Sequence, residues 1–234
     1  MKYVMRFKQF SIRHDRVAMK VGMDGVLLGA WTSVDDVSTI LDVGTGSGVI
    51  ALMLAQRTNA SVHIDAVEVS DDALQAAENF NASPWKHRLR IYHTSVQALE
   101  PDKLYDLLVT NPPFYVDALR PPDPGRERAR HDRLLGHEDI LEAANRLLSQ
   151  RGRLSIILPL AESRQFETLA ARHGFYCSKV CEVQSKPAKP PIRRLMEFAR
   201  TPYPPQRSSL CLLDNNSQPS TEYRSLVADF YLNF

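Results

Sequence analysis

Thr39-Ile40-Leu41-Asp42-Val43, then Gly44-Thr45-Gly46-Ser47-Gly48, then the run from Val49 to Arg57, are the three consecutive segments on which the fold turns. The first is a short, apolar, β-rich run. The last repeats its apolar residues at helical spacing, so the order predicted is strand, glycine loop, helix. Glycines let the backbone come close to a ligand that a Cβ would repel, and the helix beyond them offers unpaired N–H groups. Downstream, a second strand over Val62 to Val69 carries Glu68, twenty positions past Gly48, where a carboxylate can accept both hydroxyls of a ribose. Dinucleotide folds use G-x-G-x-x-G, but here the spacing is G-x-G-x-G with Asp42 just before it. Two carboxylates, Asp42 and Glu68, suit a cation carrying an ammonium and a sulfonium better than a pyrophosphate. The cofactor implied is S-adenosylmethionine rather than NAD, with Asp42, Gly44, Thr45, Gly46, Gly48, Glu68 and Val69 as candidate binding residues.

A second strand-to-turn junction carries the chemistry. Asp106 to Thr110 reads as a buried strand running into Asn111-Pro112-Pro113-Phe114. Two consecutive prolines hold φ near −65° and push each preceding residue out of the helical region, so the turn is rigid and extended. A planar exocyclic amine donates two hydrogen bonds. The Asn111 side-chain oxygen and the Pro112 carbonyl can accept one each, and Phe114 offers a flat apolar face to a base. Asn111, Pro112, Pro113 and Phe114 are therefore the candidate catalytic residues, and Asn111 also borders the cofactor site. Tyr115 can close over the base.

With 234 residues and 44% hydrophobic content, the chain fits one α/β domain, residues 1–234, that buries roughly 70% of its unfolded surface. Residues 1–35 form a segment capping the substrate and cofactor, and 36–234 the core. No run of 18 apolar residues and no signal-peptide core is present, so a cytoplasmic protein with no membrane partner is expected. Cys177, Cys181 and Cys211 lack a CxxC pair and read as core thiols, with no metal site. Net charge is only +2, but basic residues gather in three segments: 1–20, the loop after the tetrad with Arg126, Arg128 and Arg130, and Lys186 to Arg200 with Arg193 and Arg194. All three lie near expected strand ends and are candidate contacts for RNA phosphates.

Further along, a helix over Asp71 to Ala82 is capped by Ser70, strands follow at Arg88 to Thr94 and Tyr105 to Thr110, and Ser95 sits where a side chain would meet the cofactor's adenine. Residues 116–137 form a long loop. A helix over Glu138 to Ser149 is broken by Gly152, Leu154 to Pro159 is a buried strand, and Ala161 to His173 is a helix stopped by Gly174. Phe175 to Val183 and Arg194 to Ala199 follow without a helix between them and should pair antiparallel. Glu222 to Leu232 is a last helix. The class expected is α/β and Rossmann-like: a seven-stranded, mostly parallel sheet with an antiparallel C-terminal strand and helices on both faces. Ligands of such sheets bind beyond the carboxyl ends of the parallel strands, where the glycine loop, Glu68, Ser95 and Asn111 all fall.

These residues resemble the class I methyltransferases with the Asn-Pro-Pro-Phe/Tyr signature. The N-terminal run Phe7-Lys8-Gln9-Phe10, His14-Asp15-Arg16, Ala18 to Gly22 and Asp24 to Trp31 is similar to the bacterial family that methylates N6 of adenine 37, beside the anticodon of valine tRNA. The likeness continues through Ala51 to Arg57, Asn79, Ser83-Pro84-Trp85, Ala129-Arg130-His131 and Phe230-Tyr231-Leu232. It implies that Lys20, Gly22 and Asp24 line the methionine end of the cofactor, Glu68 its ribose, and Asn111 to Phe114 the target base. It adds His131 to the candidate substrate residues and implies the anticodon stem-loop of tRNA as partner, bound by a monomer or weak homodimer. Met23 stands where the family often has Thr, and Ser95 where many relatives have Asp. A protein-glutamine, rRNA or DNA amino-methyltransferase is the alternative within the class; an NAD-linked oxidoreductase or a non-catalytic RNA-binding module is the alternative outside it.

Overall fold

Residues 3–113 and 135–233 are described by a computed structural model, and Phe114, Tyr115, Arg126, Arg128, Arg130 and His131 lie outside the described residues. In chain order the elements are β1 (Val4–Arg6), β2 (Ser11–Arg13), α1 (Met23–Trp31), β3 (Thr39–Val43), α2 (Val49–Arg57), β4 (His63–Glu68), α3 (Asp72–Asn81), β5 (Leu89–His93), β6 (Tyr105–Thr110), α4 (His137–Leu147), β7 (Leu148–Pro159), α5 (Leu160–Arg172), β8 (Tyr176–Gln184), β9 (Pro191–Ala199), β10 (Gln206–Cys211) and α6 (Thr221–Val227). β1 and β2 form a small antiparallel hairpin. The main sheet runs β10-β8-β9-β7-β6-β3-β4-β5. β5, β4, β3, β6 and β7 are mutually parallel, β9 is antiparallel to both its neighbours, and β10 is parallel to β8. The parallel strands thus end along one edge, the cleft end, where register also places the start of β9, since Arg193 pairs with Pro159.

Side chains alternate between two cores. Ile40, Ile64, Leu107 and Val109 pack with α1 and α2 on one face. Leu41, Val67, Leu108 and Ile156 pack with α4 and α5 on the other. This alternation on strands covered on both faces explains their continuous apolar runs.

Several elements depart from the sequence expectations. The sheet has eight strands rather than seven: β10 begins Gln206-Arg207-Ser208-Ser209, all exposed at the edge, and so carries no apolar periodicity to mark it. α1 stood in the sequence without a helical signature because Gly25 to Ala30 are all buried, which leaves no polar face to set a period. The helix expected to run to Ser149 ends at Leu147, and Gly152 lies within β7 instead of breaking a helix. A Cβ on Gly152 would fall 2.9 Å from both the Leu148 Cβ and the Tyr105 carbonyl, at the shift in register between Tyr105 and Leu107. The last helix is likewise shorter than expected and ends at Val227.

Candidate active site

All three loop glycines adopt positive φ: Gly44 at 69°, Gly46 at 54° and Gly48 at 85°. At Gly48 the need is doubled, because a Cβ there would lie 2.5 Å from the Phe80 ring. Gly46 differs. Among the described residues a Cβ on it would meet nothing within 4 Å, so the loop is open to them at that point. The Gly46 N–H donates to Glu68 Oε2 at 3.0 Å, while the Ser70 N–H and hydroxyl donate to Oε1 at 3.1 and 2.9 Å. Glu68, half-buried, therefore ties the loop to the end of β4. A carboxylate has about four acceptor positions, so it still has room for a hydroxyl. Val69 beside it is an exposed apolar side chain at the same strand end.

Asp42 stands differently from the expectation of a carboxylate facing ligand. It is fully buried, and its Oδ2 accepts from the Thr45 hydroxyl at 2.6 Å and from the Ala51 N–H at 3.1 Å, in the first turn of α2. It shapes the loop and caps the helix. Its Oδ1 is buried without a partner among the described residues, and burial pushes the carboxyl up to about 7, with the charge of Glu68 adding to the rise. Thr45, also buried, serves as its hydroxyl donor.

At the end of β6, Thr110 is anchored by its hydroxyl to the Val43 carbonyl at 2.9 Å. Asn111 follows, and its Oδ1 is buried with no hydrogen-bond partner among the described residues. Pro112 behind it is buried and Pro113 half-buried. The N-terminus of α1 lies against this turn: a Cβ on Gly25 would stand 3.2 Å from Val49 Cγ1 and 3.9 Å from Asn111 Nδ2. Gly25 thus eases the close approach of α1 to the glycine-loop helix, with the candidate catalytic turn in ordinary contact beside it. Gly22 is the N-cap of α1, and Asp24 in its first turn pairs with Arg193 at 2.9 Å. Lys20 is exposed, with its ammonium 5.5 Å from the centre of the Tyr3 ring. Ser95 is half-buried, and its hydroxyl accepts from the Ala98 N–H at 3.3 Å, closing the turn after β5.

The structure also shows how the N-terminal segment is held. Asn79, 2% exposed in α3, accepts from the Arg13 N–H and donates to the Arg13 carbonyl, both at 2.9 Å, and donates to the Ser47 carbonyl in the glycine loop at 2.8 Å. Gln75 accepts from the Arg16 N–H at 3.0 Å and Asp72 from the Ala18 N–H at 3.1 Å. His14 Nδ1 accepts from the Val21 N–H at 3.4 Å. One face of α3 thereby links residues 13–18 to the glycine loop. The sequence reading missed this function. Its only local signal is a pair of carboxamides, Gln75 and Asn79, among the buried positions of an otherwise apolar helix face.

Of the basic segments, most described members are already engaged. Arg13 pairs with Asp15 and Arg16 with Glu78, while Lys8 donates to the Ala228 carbonyl. Arg194, a candidate phosphate contact, is only 12% exposed and is held by Glu182 and Glu167. It is a structural ion-pair member, since a phosphate would have to displace two carboxylates to reach it. Arg200 donates to Asn145. Among the described residues no group of His, Cys, Asp and Glu could hold a metal, and no helix is long and apolar enough to cross a membrane.

Comparison with known proteins bears on the same residues. A family model described as the methyltransferase small domain matches residues 26–171, from within α1 to the end of α5. Among solved structures, a predicted O-methyltransferase from Agrobacterium tumefaciens shares the fold at a TM-score of 0.65 over 88% of this chain and 96% of its own, at 16% identity. A putative RNA methyltransferase from Pyrococcus horikoshii aligns at 0.52 over 74% of this chain and 79% of its own, at 19% identity. Much greater sequence likeness is found to two proteins named tRNA1(Val) (adenine(37)-N6)-methyltransferase. That of Tolumonas auensis is 44% identical over 97% of this chain and 95% of its own, and that of Trichodesmium erythraeum 42% identical over 98% of each. The match therefore takes in the N-terminal block and the C-terminal strands that lie outside the methyltransferase small domain, and the chain belongs to the tRNA1(Val) (adenine(37)-N6)-methyltransferase family.

Proposed function

We propose that the cleft transfers a methyl group from S-adenosylmethionine to the N6 amine of an adenine in tRNA, at position 37 beside the anticodon of valine tRNA. The observation that carries this reading is the buried Oδ1 of Asn111, without a partner among the described residues, on a turn stiffened by two prolines. A buried acceptor without a donor is costly unless a ligand supplies one. An amine N–H supplies it, and the Pro112 carbonyl takes the second. Family membership and the relatives' names support the base and the position.

The residues at the glycine loop fit the cofactor: Gly46 is clear of the other described residues, Glu68 retains acceptor capacity for a ribose hydroxyl, and Val69 offers an apolar surface to the adenine. Lys20, Gly22 and Asp24 would line the methionine end, with Arg193 fixing the Asp24 carboxylate. When bound, the cofactor supplies a methyl group made electrophilic by its sulfonium. The chain's contribution is orientation and charge. Asn111 Oδ1 and the Pro112 carbonyl hold the two N–H groups so that the nitrogen lone pair turns out of the ring plane. The same two oxygens face the positive charge that develops on nitrogen, so no strong base is required. Phe114 follows as the stacking surface for the base. An adenine in the anticodon loop is already unpaired, which spares the few kcal/mol needed to extract a base from a duplex.

Transfer of a tritiated methyl group to bulk tRNA and to bulk protein, with NAD titrated in parallel, tests the reading. Label in tRNA and no NAD binding are expected. Label confined to protein would move the assignment to a glutamine amide, which presents a similar planar amine.

A further inference from the structure

The β8–β9 turn sits at the cleft end of the sheet, because β8 runs in the direction of β7 and β9 returns against it. In sheet order β9 lies two strands from β6, whose end carries Asn111. At the usual strand spacing and rise that places the turn about 10 Å to the side of Asn111 and, since Thr110 is level with Ile156 but Arg193 with Pro159, more than about 13 Å further out along the strands. Residues 185–192 contain Lys186 and Lys189 and no acidic residue. Both lysines are exposed. Lys186 donates to a neutral group, the Ser217 hydroxyl, at 2.8 Å. The nearby Asp214 directs its Oδ1 to the Asn216 and Gln218 N–H groups at 2.8 and 2.9 Å. Beneath the turn the arginines are neutralised, Arg193 by Asp24 and Arg194 by Glu182 and Glu167.

The turn is also stiff. The Lys189 N–H bonds the Lys186 carbonyl at 3.2 Å, Gln184 Nε2 bonds the Lys189 carbonyl at 3.0 Å, and Ala188 is held at a φ of 61°. Pro187, Pro190 and Pro191 fix the rest. Two positive charges on a rigid loop at the rim of the cleft suit a flexible polyanion, since little ordering of the protein accompanies contact.

We infer that Lys186 and Lys189 form a phosphate-binding rim that holds the tRNA backbone a few nucleotides from the adenine at Asn111. This rests on the reading of the cleft as a tRNA methyltransferase site. It replaces Arg193 and Arg194 by the lysines as the sequence-independent contacts on this side, and such contacts set register without reading bases.

The test compares the parent with K186A/K189A and K186R/K189R for tRNA binding across a salt series, for steady-state methyl transfer and for S-adenosylhomocysteine affinity. Expected for the alanine variant are a several-fold rise in KM for tRNA, a log–log salt slope shallower by about 1.4 for two lost single-strand contacts, and unchanged cofactor affinity. The arginine variant should keep the parent's slope. An unchanged slope and KM in K186A/K189A, with a parent that methylates tRNA, would overturn the rim alone. A parent that methylates no tRNA would overturn the cleft reading and the rim together.

Discussion

At the base of the sheet Arg57 donates to the Gly29 and Thr32 carbonyls at the end of α1, Arg88 gathers carbonyls of Ala55, Thr58 and Val62 at the end of α2, and Asp106 accepts from the Ser38 and Thr39 N–H groups. At the cleft end the same strands finish in three positive-φ glycines and in two buried oxygens, Asn111 Oδ1 and Asp42 Oδ1, that none of the described residues satisfies. The helices make the contrast natural. Their C-termini point to the base, where arginines complement the carbonyls, and their N-termini point to the cleft, where N–H groups remain for loop and ligand. Orphaned atoms also occur elsewhere, at Gln56 Oε1 and Glu197 Oε2. What distinguishes Asn111 is its position at the end of a parallel strand, on a rigid turn, beside α1 and the glycine loop. On the proposed reading, one end of the sheet is built for stability and the other for a ligand, so variants at the two ends should fail in different assays.

The sharpest way to break that division is Asn111→Ala. Removing a preorganised acceptor that acts on the reacting amine should lower the single-turnover rate about 100-fold or more, while thermal stability and cofactor affinity hold. Loss of cofactor affinity with an unchanged rate would assign Asn111 to the wrong ligand. Glu68→Ala should weaken S-adenosylhomocysteine by about 1.5–3 kcal/mol, the scale of hydrogen bonds to a charged group, read by calorimetric titration; an unchanged dissociation constant removes Glu68 from the ribose. At the base, Tyr105→Phe deletes the 2.7 Å hydroxyl donor to Asp65, a carboxylate 3% exposed that also meets Lys103 at 2.9 Å. Stability should fall by about 1–3 kcal/mol in urea unfolding, with cofactor affinity and methyl transfer intact. A Tyr105→Phe variant that lost activity at full stability would blur the two ends into one.

The smallest effect expected is in pH dependence. With Asp42 raised to about 7 by burial, the folded protein holds a proton there that the unfolded chain releases nearer 4. Over that window the native state binds more protons, so stability falls as pH rises and levels off above about 7. Asp42→Asn keeps an acceptor for Thr45 and Ala51 and removes the titration. Urea midpoints from pH 4.5 to 8 should therefore decline less in the variant than in the parent. Asp72, also raised by burial, leaves a residual slope of the same sign. Equal slopes in parent and variant would show that Asp42 is ionised throughout.

The site was more legible in the sequence than the elements that brace it. Strand, glycine loop and helix from Thr39 to Arg57 stand where the spacing put them, and the antiparallel pairing of β8 with β9 followed from the lack of a helix between them. Glycines, prolines and carboxylates at strand ends leave a local trace, because each sets its own backbone or charge. Long-range assignments left none. Asn79 and Gly25 act through partners 66 and 24 positions away, Arg13 and Val49, and no short window along the chain contains both. The basic residues misled for the same reason: composition places Arg194 in a positive segment, but only the fold shows Glu182 and Glu167 closing on it. The position of Asp42 beside the loop was visible, but its burial and its bonds to Thr45 and Ala51 were not.

The most direct measurement is mass spectrometry of nucleosides from tRNA, rRNA and DNA after incubation of each with the purified protein and S-adenosylmethionine, followed by mapping of any modified tRNA position. Expected is N6-methyladenosine in tRNA alone, just 3′ of the anticodon of the valine species. Methylated adenine only in rRNA or DNA, or a tRNA product at another atom, would contradict it.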